Sequence, residues 1–158
     1  MSDTHSTLLK ELQNLLHESN ENAVSLRELV ENLPVGIVYV DTDEVIRAVN
    51  REFECWYARP RSQMIGRSLR EVTADDERYL ASHKLVLNAL QGYKASFFLP
   101  RKHPDGQVRF IAAFLEPDIT AAGKVLGYVG VFCPVPLSSD EAKHIFDDNG
   151  LRLFGDDA

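Results

Sequence analysis

His83 stands on the apolar side of a helical stretch, with Tyr79, Val86 and Leu90 at helical spacing. A lone imidazole there could ligate a metal or move a proton, and it could equally be a hydrogen-bonded histidine at the edge of a core. Trp56 sits between Cys55 and Tyr57, where its indole could stack on a flavin ring to which Asn50 would hydrogen-bond; core packing accounts for the same aromatics without a cofactor. Acid or base catalysis would draw on Asp41, His83 or Glu116 in a buried pocket, as in small dimeric α+β isomerases, but no spacing pairs two of them at complementary positions. Cys55 and Cys133 lack metal-ligand spacing and are expected to remain thiols in a reducing compartment. The glycines of "GKVLGYVG" lie in a strand-like run that opens no helix, so they form no phosphate loop; Gly127 and Gly130 instead suit the close approach of a ligand or a neighbouring backbone. "DDNG" near the C-terminus lacks the remaining spacing of a calcium loop.

The elements that would position these groups follow from changes in hydrophobic period. From Leu9, alternating steps of three and four residues meet Leu12, Leu16, Ser19, Ala23, Leu26, Val30 and Leu33, a heptad seam that predicts a dimerising helix. Leu8, Leu15 and Leu29 widen the stripe, so the same helix could also lie on its own domain, across the outer face of the strands it feeds. Pro34 ends it. "GIVYV" and "EVIRAVN" flank the turn "DTD" as a hairpin, Asn50 caps the helix "REFECWYA", and "SQMIGRSLREV" reads as two short helical turns broken by Gly66. A longer helix from about Asp75 to Leu90 stops at Gly92, and three strands follow: "KASFFLPR", "QVRFIAAFLEP" and "KVLGYVGVFCPV". Both faces of the last two strands are apolar, which predicts a sheet covered on both sides. In the tail, "SSDE" resembles a capping box opening a short helix that ends at Asn149-Gly150.

The chain has 158 residues, one domain's worth, and 44% hydrophobic residues. Its net charge of −7 is concentrated at both ends, leaving the middle nearly neutral. That distribution speaks against nucleic acid as a direct partner, because phosphate recognition needs clustered Lys and Arg. No run of apolar residues is long enough to span a membrane, and the N-terminus has no signal-peptide pattern, so the expected location is the cytoplasm.

The order of these elements, two strands, short helices, one longer helix and a three-strand meander, resembles a PAS domain. "ENLPVGIVYVDTDEVIRAVN" is similar to the family's entry, with Asp41 in the first hairpin and a closing Asn50. "REFECWYARPRSQMIGRSLREV", with its Gly66-Arg67-Ser68 step, and "LNALQGYKASFFLPRKHPDGQVRFIAAFLEP", with its DG turn, resemble the stretches that follow. The resemblance covers about residues 28 to 135. It implies an α+β fold: a five-stranded antiparallel sheet in the order 2-1-5-4-3, helices over one face enclosing a pocket, and a role in sensing and protein association. Membership of the family's haem-binding branch would make His83 an axial ligand. The flavin photoreceptor branch requires an "NCRF"-like segment, which "FECWY" around Cys55 does not match. The Asp-Ile-Thr signature that often follows the last strand is displaced, since Asp118-Ile119-Thr120 falls one strand early, and Pro134 and Pro136 interrupt the exit.

The expected organisation is an N-terminal dimerisation helix (1–33), a PAS domain (34–135) and an acidic tail (136–158). The pocket is expected to be lined by Val38, Phe53, Trp56, Ile65, His83, Leu87, Phe97, Phe114, Tyr128 and Phe132, residues that could equally fill a core. The expected function is a cytoplasmic sensory or adaptor module that forms a homodimer through its first helix, engages a separate signalling protein, and takes a small-molecule ligand of unknown identity. It is expected to be no enzyme; the alternatives are a small isomerase-like enzyme using the same cavity, or a haem or flavin redox sensor.

Overall fold

The computed structural model describes residues 26–73, 76–136 and 152–153, together with helical positions 10, 11, 14 and 18; for residues 76–78, 80, 81, 152 and 153 it describes the backbone alone. The chain divides into two compact units, Met1–Leu33 and Pro34–Ala158. In the first, residues 26–32 are helical (α1), and Leu26 and Leu29 are exposed. The seam positions Leu9, Leu12, Leu16, Ser19 and Ala23, and with them most of the helix expected to cover the sheet, lie outside the described residues. So does the helix expected in the tail.

The second unit is built on an antiparallel sheet. Its strands are β1 (Gly36–Asp41), β2 (Ile46–Val49), β3 (Ala95–Lys102), β4 (Val108–Ile119), β5 (Val125–Val135) and β6 (Arg152–Leu153), in the order β2-β1-β5-β4-β3-β6. The first five follow the 2-1-5-4-3 order that the resemblance implies. The tail adds the sixth, which was not expected: Leu153 pairs with Phe97 and Arg152 with Phe98. An edge strand such as β3 offers a row of backbone groups to any extended segment that reaches it.

Between β2 and β3 run α2 (Arg51–Tyr57), a 3-10 turn (Arg61–Gln63), α3 (Leu69–Thr73) and α4 (Asp76–Leu90). Each boundary has a local cause. The β1–β2 turn is closed by the Asp41 carboxylate, which accepts from the backbone N–H groups of Asp43 (2.9 Å) and Val45 (3.0 Å), with Glu44 left-handed at φ 61°. Burial would push the Asp41 carboxyl up, but the Arg47 side chain and these two N–H groups hold it below the usual carboxylate range. Asn50, buried and side-chain-bonded on three sides, joins β1, β2 and α2. Its Oδ1 accepts from Ile37 N (2.9 Å) and Phe53 N (3.1 Å), and its Nδ2 donates to Val35 O (2.8 Å). The cap at α2 is thus also the clasp on the first strand.

Strand pairing sets the two faces. Val38 pairs with Gly130, Gly130 with Leu115, Phe132 with Ala113 and Ala113 with Phe97, which places these residues together on the face beneath the helices. Val38, Val40, Ile46, Phe53, Met64 and Tyr128 are fully buried there, each large side chain contributing roughly 1.5–3 kcal/mol by leaving water. The other face carries Ile37, Val129, Val131, Phe98 and Phe114, half-buried or exposed, so both faces are apolar as the strand patterns predict.

Candidate functional site

A cavity of about 170 Å³ lies between the helices and the inner face of β3, β4 and β5. Its floor is Phe97 and Leu99 from β3, Leu115 from β4, and Tyr128 and Phe132 from β5. Tyr57 at the end of α2, Leu69 on α3, and Tyr79 and Val86 on α4 form the walls, with Thr73 and Ser82 adding hydroxyls. Asn50 capping orients the aromatic wall: Phe53 packs on Tyr57 (ring centroids 4.7 Å apart) and on Phe132 (5.9 Å).

Tyr128, Arg101, Tyr79 and Lys102 add further polar groups to this lining. Tyr128 is fully buried, and its hydroxyl has no hydrogen-bond partner among the described residues. Burial first, and then the neighbouring Tyr79 and Glu44, push its ionisation far above the usual phenol range, so it remains an O–H donor. Arg101 lines the cavity with its guanidinium stacked over the Tyr57 ring, Cζ 3.7 Å from the centroid, and its buried Nε also lacks a partner among the described residues. Tyr79 is engaged: its hydroxyl donates to Glu44 Oε1 at 2.7 Å, and burial together with that bond raises its ionisation.

The structure gathers only part of the expected lining. Phe97, Tyr128 and Phe132 line the cavity, while Val38 and Phe53 are buried in the core. Trp56 is buried but packs by His103 (5.3 Å), and its Nε1 donates to Glu52 Oε1 at 2.6 Å. Phe114 is a correction: it is 44% exposed on the opposite face, because Leu115 and Ala113 are the β4 residues turned inward. Ile65 and Leu87 are exposed and also fall outside the lining, Ile65 because its turn leaves it facing water and Leu87 because it lies off the buried stripe of α4 formed by Val86 and Ala89. His83 does not line it either; Nε2, the atom a haem iron would need, lies 2.8 Å from Glu44 Oε1.

The acid–base candidates are dispersed. Asp41 closes its turn, Glu116 pairs with Lys94 at 2.7 Å on the surface, and His83 is joined to Glu44. Among the described residues no group of three His, Cys, Asp or Glu side chains is placed to hold a metal ion. Cys55 and Cys133 are free thiols, and burial pushes that of Cys133 up. None of the described helices is long and apolar enough to cross a membrane.

The expected lining lacked Tyr57, Leu69, Leu99, Arg101 and Leu115, and also Thr73, Tyr79, Ser82, Val86 and Lys102. A signal for Arg101 existed: Phe97, Leu99 and Arg101 alternate along "ASFFLPRK", so the arginine must share the inward face of the phenylalanine.

Comparison with known proteins agrees with this architecture. No curated protein matches the chain. Among solved structures it is similar to the PAS domain of a Colwellia psychrerythraea protein, at 21% identity and TM-score 0.56 over 72% of this chain and 96% of that one. It is also similar to the PAS domain of Bordetella pertussis BvgS (16% identity, TM-score 0.58, 78% and 93% covered) and to the Vibrio cholerae VqmA dimer (17%, 0.59, 75% and 54%). The chain therefore spans about half the length of VqmA. At these identities the likeness is one of fold. The family described as PAS fold matches residues 30–135, two thirds of the chain, and to that family this protein belongs.

Proposed function

We propose that this protein is a sensory or adaptor PAS module of signal transduction that binds a small molecule in the cavity beneath its helices. It works as a homodimer through its first helix and acts on a separate protein in the cytoplasm, without catalysing a reaction. The observation that carries the reading is the Tyr128 hydroxyl, fully buried at an aromatic cavity with no partner among the described residues. A hydroxyl left in that state costs about 1–3 kcal/mol, a cost that a ligand accepting its hydrogen bond would remove. Phe97, Tyr128 and Phe132 are the proposed contacts. VqmA, a fold neighbour, has been solved bound to DPO, which supports a ligand at the equivalent fold without naming the one used here.

Dimerisation rests on the heptad seam together with Leu26 and Leu29, which are 69% and 63% exposed in the single chain. Pro34 joins that helix directly to β1, so a ligand that favours one packing of the sheet and helices can shift the helix pair with it, provided it binds the two states differently. A protein rather than a nucleic acid is the proposed partner, on the ground of the nearly neutral domain with acidic ends.

Native mass spectrometry of the full chain tests the ligand: a non-covalent adduct that disappears on denaturation is expected, and a single mass in both conditions, with no added compound retained, would oppose the reading. Light scattering tests the dimer. The native chain should show twice the monomer mass and the Leu16→Glu/Leu26→Glu variant a monomer; a native chain that is monomeric at high concentration would remove the dimer from the proposal.

A further inference from the structure

Among the described residues, Arg101 and Lys102 are the charged side chains that line the cavity. The Arg101 guanidinium already lies over the Tyr57 ring, Cζ 3.7 Å from its centroid, yet its buried Nε has no acceptor among the described residues. A guanidinium braced on an aromatic ring, with a buried Nε that has no acceptor among the described residues, can take a carboxylate through two parallel N–H···O bonds.

The second unused donor is elsewhere. Arg101 pairs with Arg109 and Tyr128 with Pro117, eight residues apart along β4, so the two side chains enter the lining from different levels of the sheet. Between their levels the floor is apolar, formed by Phe97, Leu99, Leu115 and Phe132. The volume of about 170 Å³ is close to that of an engineered cavity of about 150 Å³ that holds benzene, which limits the apolar body to a few carbons beyond one ring.

Resting on the reading that this cavity is a ligand site, we propose that its ligand is an elongated small monocarboxylic acid. The carboxylate meets Arg101, a short apolar body crosses Phe97 and Phe132, and a hydrogen-bond acceptor such as a keto oxygen at the far end meets the Tyr128 hydroxyl. The acid is selected over neutral molecules of the same shape because a buried, unpaired guanidinium N–H penalises a ligand that offers it nothing.

Three eight-carbon compounds dissect the claim by titration calorimetry on the full chain: 7-oxooctanoate with both polar ends, octanoate with the acid alone, and 2-octanone with the ketone alone. 7-Oxooctanoate should bind at least tenfold more tightly than either of the others. Arg101→Met, which keeps the stem length, should reduce 7-oxooctanoate to the affinity of 2-octanone and leave 2-octanone unchanged. Tyr128→Phe should reduce it to the affinity of octanoate and leave octanoate unchanged, a result independent of whether the arginine variant folds. Equal binding of 7-oxooctanoate and 2-octanone overturns the acid assignment while leaving the cavity a ligand site. Failure of all three compounds to bind overturns it as well. If in that case native mass spectrometry also shows no adduct, the ligand-site reading falls with it.

Discussion

Removing the Asn50 side chain should be among the most damaging single changes in the second unit, and its size follows from three hydrogen bonds. In Asn50→Ala the α2 cap on Phe53 N is lost, which costs typically ~1 kcal/mol. The Ile37 N–H and the Val35 carbonyl lose their partner in a part-buried setting, each costing about 1–3 kcal/mol where water does not replace it. Allowing for partial solvation of those two groups, the expected loss is about 3–5 kcal/mol, a large share of a total that is usually 5–15 kcal/mol. Urea unfolding followed by circular dichroism measures it. With a slope near ~1.5 kcal/mol/M the midpoint should fall by roughly 2–3 M, at an unchanged slope. Asn50→Asp, which keeps the acceptor and loses only the donor to Val35, should fall between the variant and the native chain. A loss under about 1 kcal/mol in Asn50→Ala would refute the assignment of Asn50 as the clasp joining β1 to α2.

Gly127→Ala should destabilise by about 1–3 kcal/mol, because a Cβ there would run into the Val40 carbonyl of β1; Gly36→Ala, whose Cβ would meet only ordinary contacts at 3.6–3.7 Å, is the milder control, and equal losses in urea melts would count against the argument. Asp41 titrates below its unfolded value of about 3.9, so the stability it contributes is full above that pH and disappears as pH falls through the lower folded value. Asp41→Asn should therefore flatten the acid limb of the stability curve below about pH 4. Burial first, then Arg109, lowers the His103 ionisation, so protonation is favoured in the unfolded chain and stability falls as pH drops below about 6.5; His103→Gln should remove that slope in melts between pH 5 and 7.

Most of the architecture was legible because its causes are local. Pro34, the Asp41 turn, the Asn50 cap and the Gly92 stop act within a few residues of themselves, and period changes mark the strands between them. The extra strand β6 was not legible, since two residues pair with an edge some fifty positions away and carry no turn signal of their own. At the cavity, aromatic size was the misleading cue: it favoured Phe114, whereas Ala113 faces inward between Phe97 and Phe132, a small residue accommodating two large ones.

The sequence by itself determined the kinds of element, their order, the two apolar faces of the sheet and the family they resemble, because these follow from hydrophobic period and turn chemistry. Only the tertiary structure decided which parity of each strand turns inward, and so that Arg101 and Tyr128 share one cavity while Phe114 does not. Parity is set by pairing with residues far along the chain, and a shift of one position exchanges the faces without altering any local pattern. The unspent hydrogen-bonding capacity of Arg101 and Tyr128 is likewise a property of what surrounds them once folded.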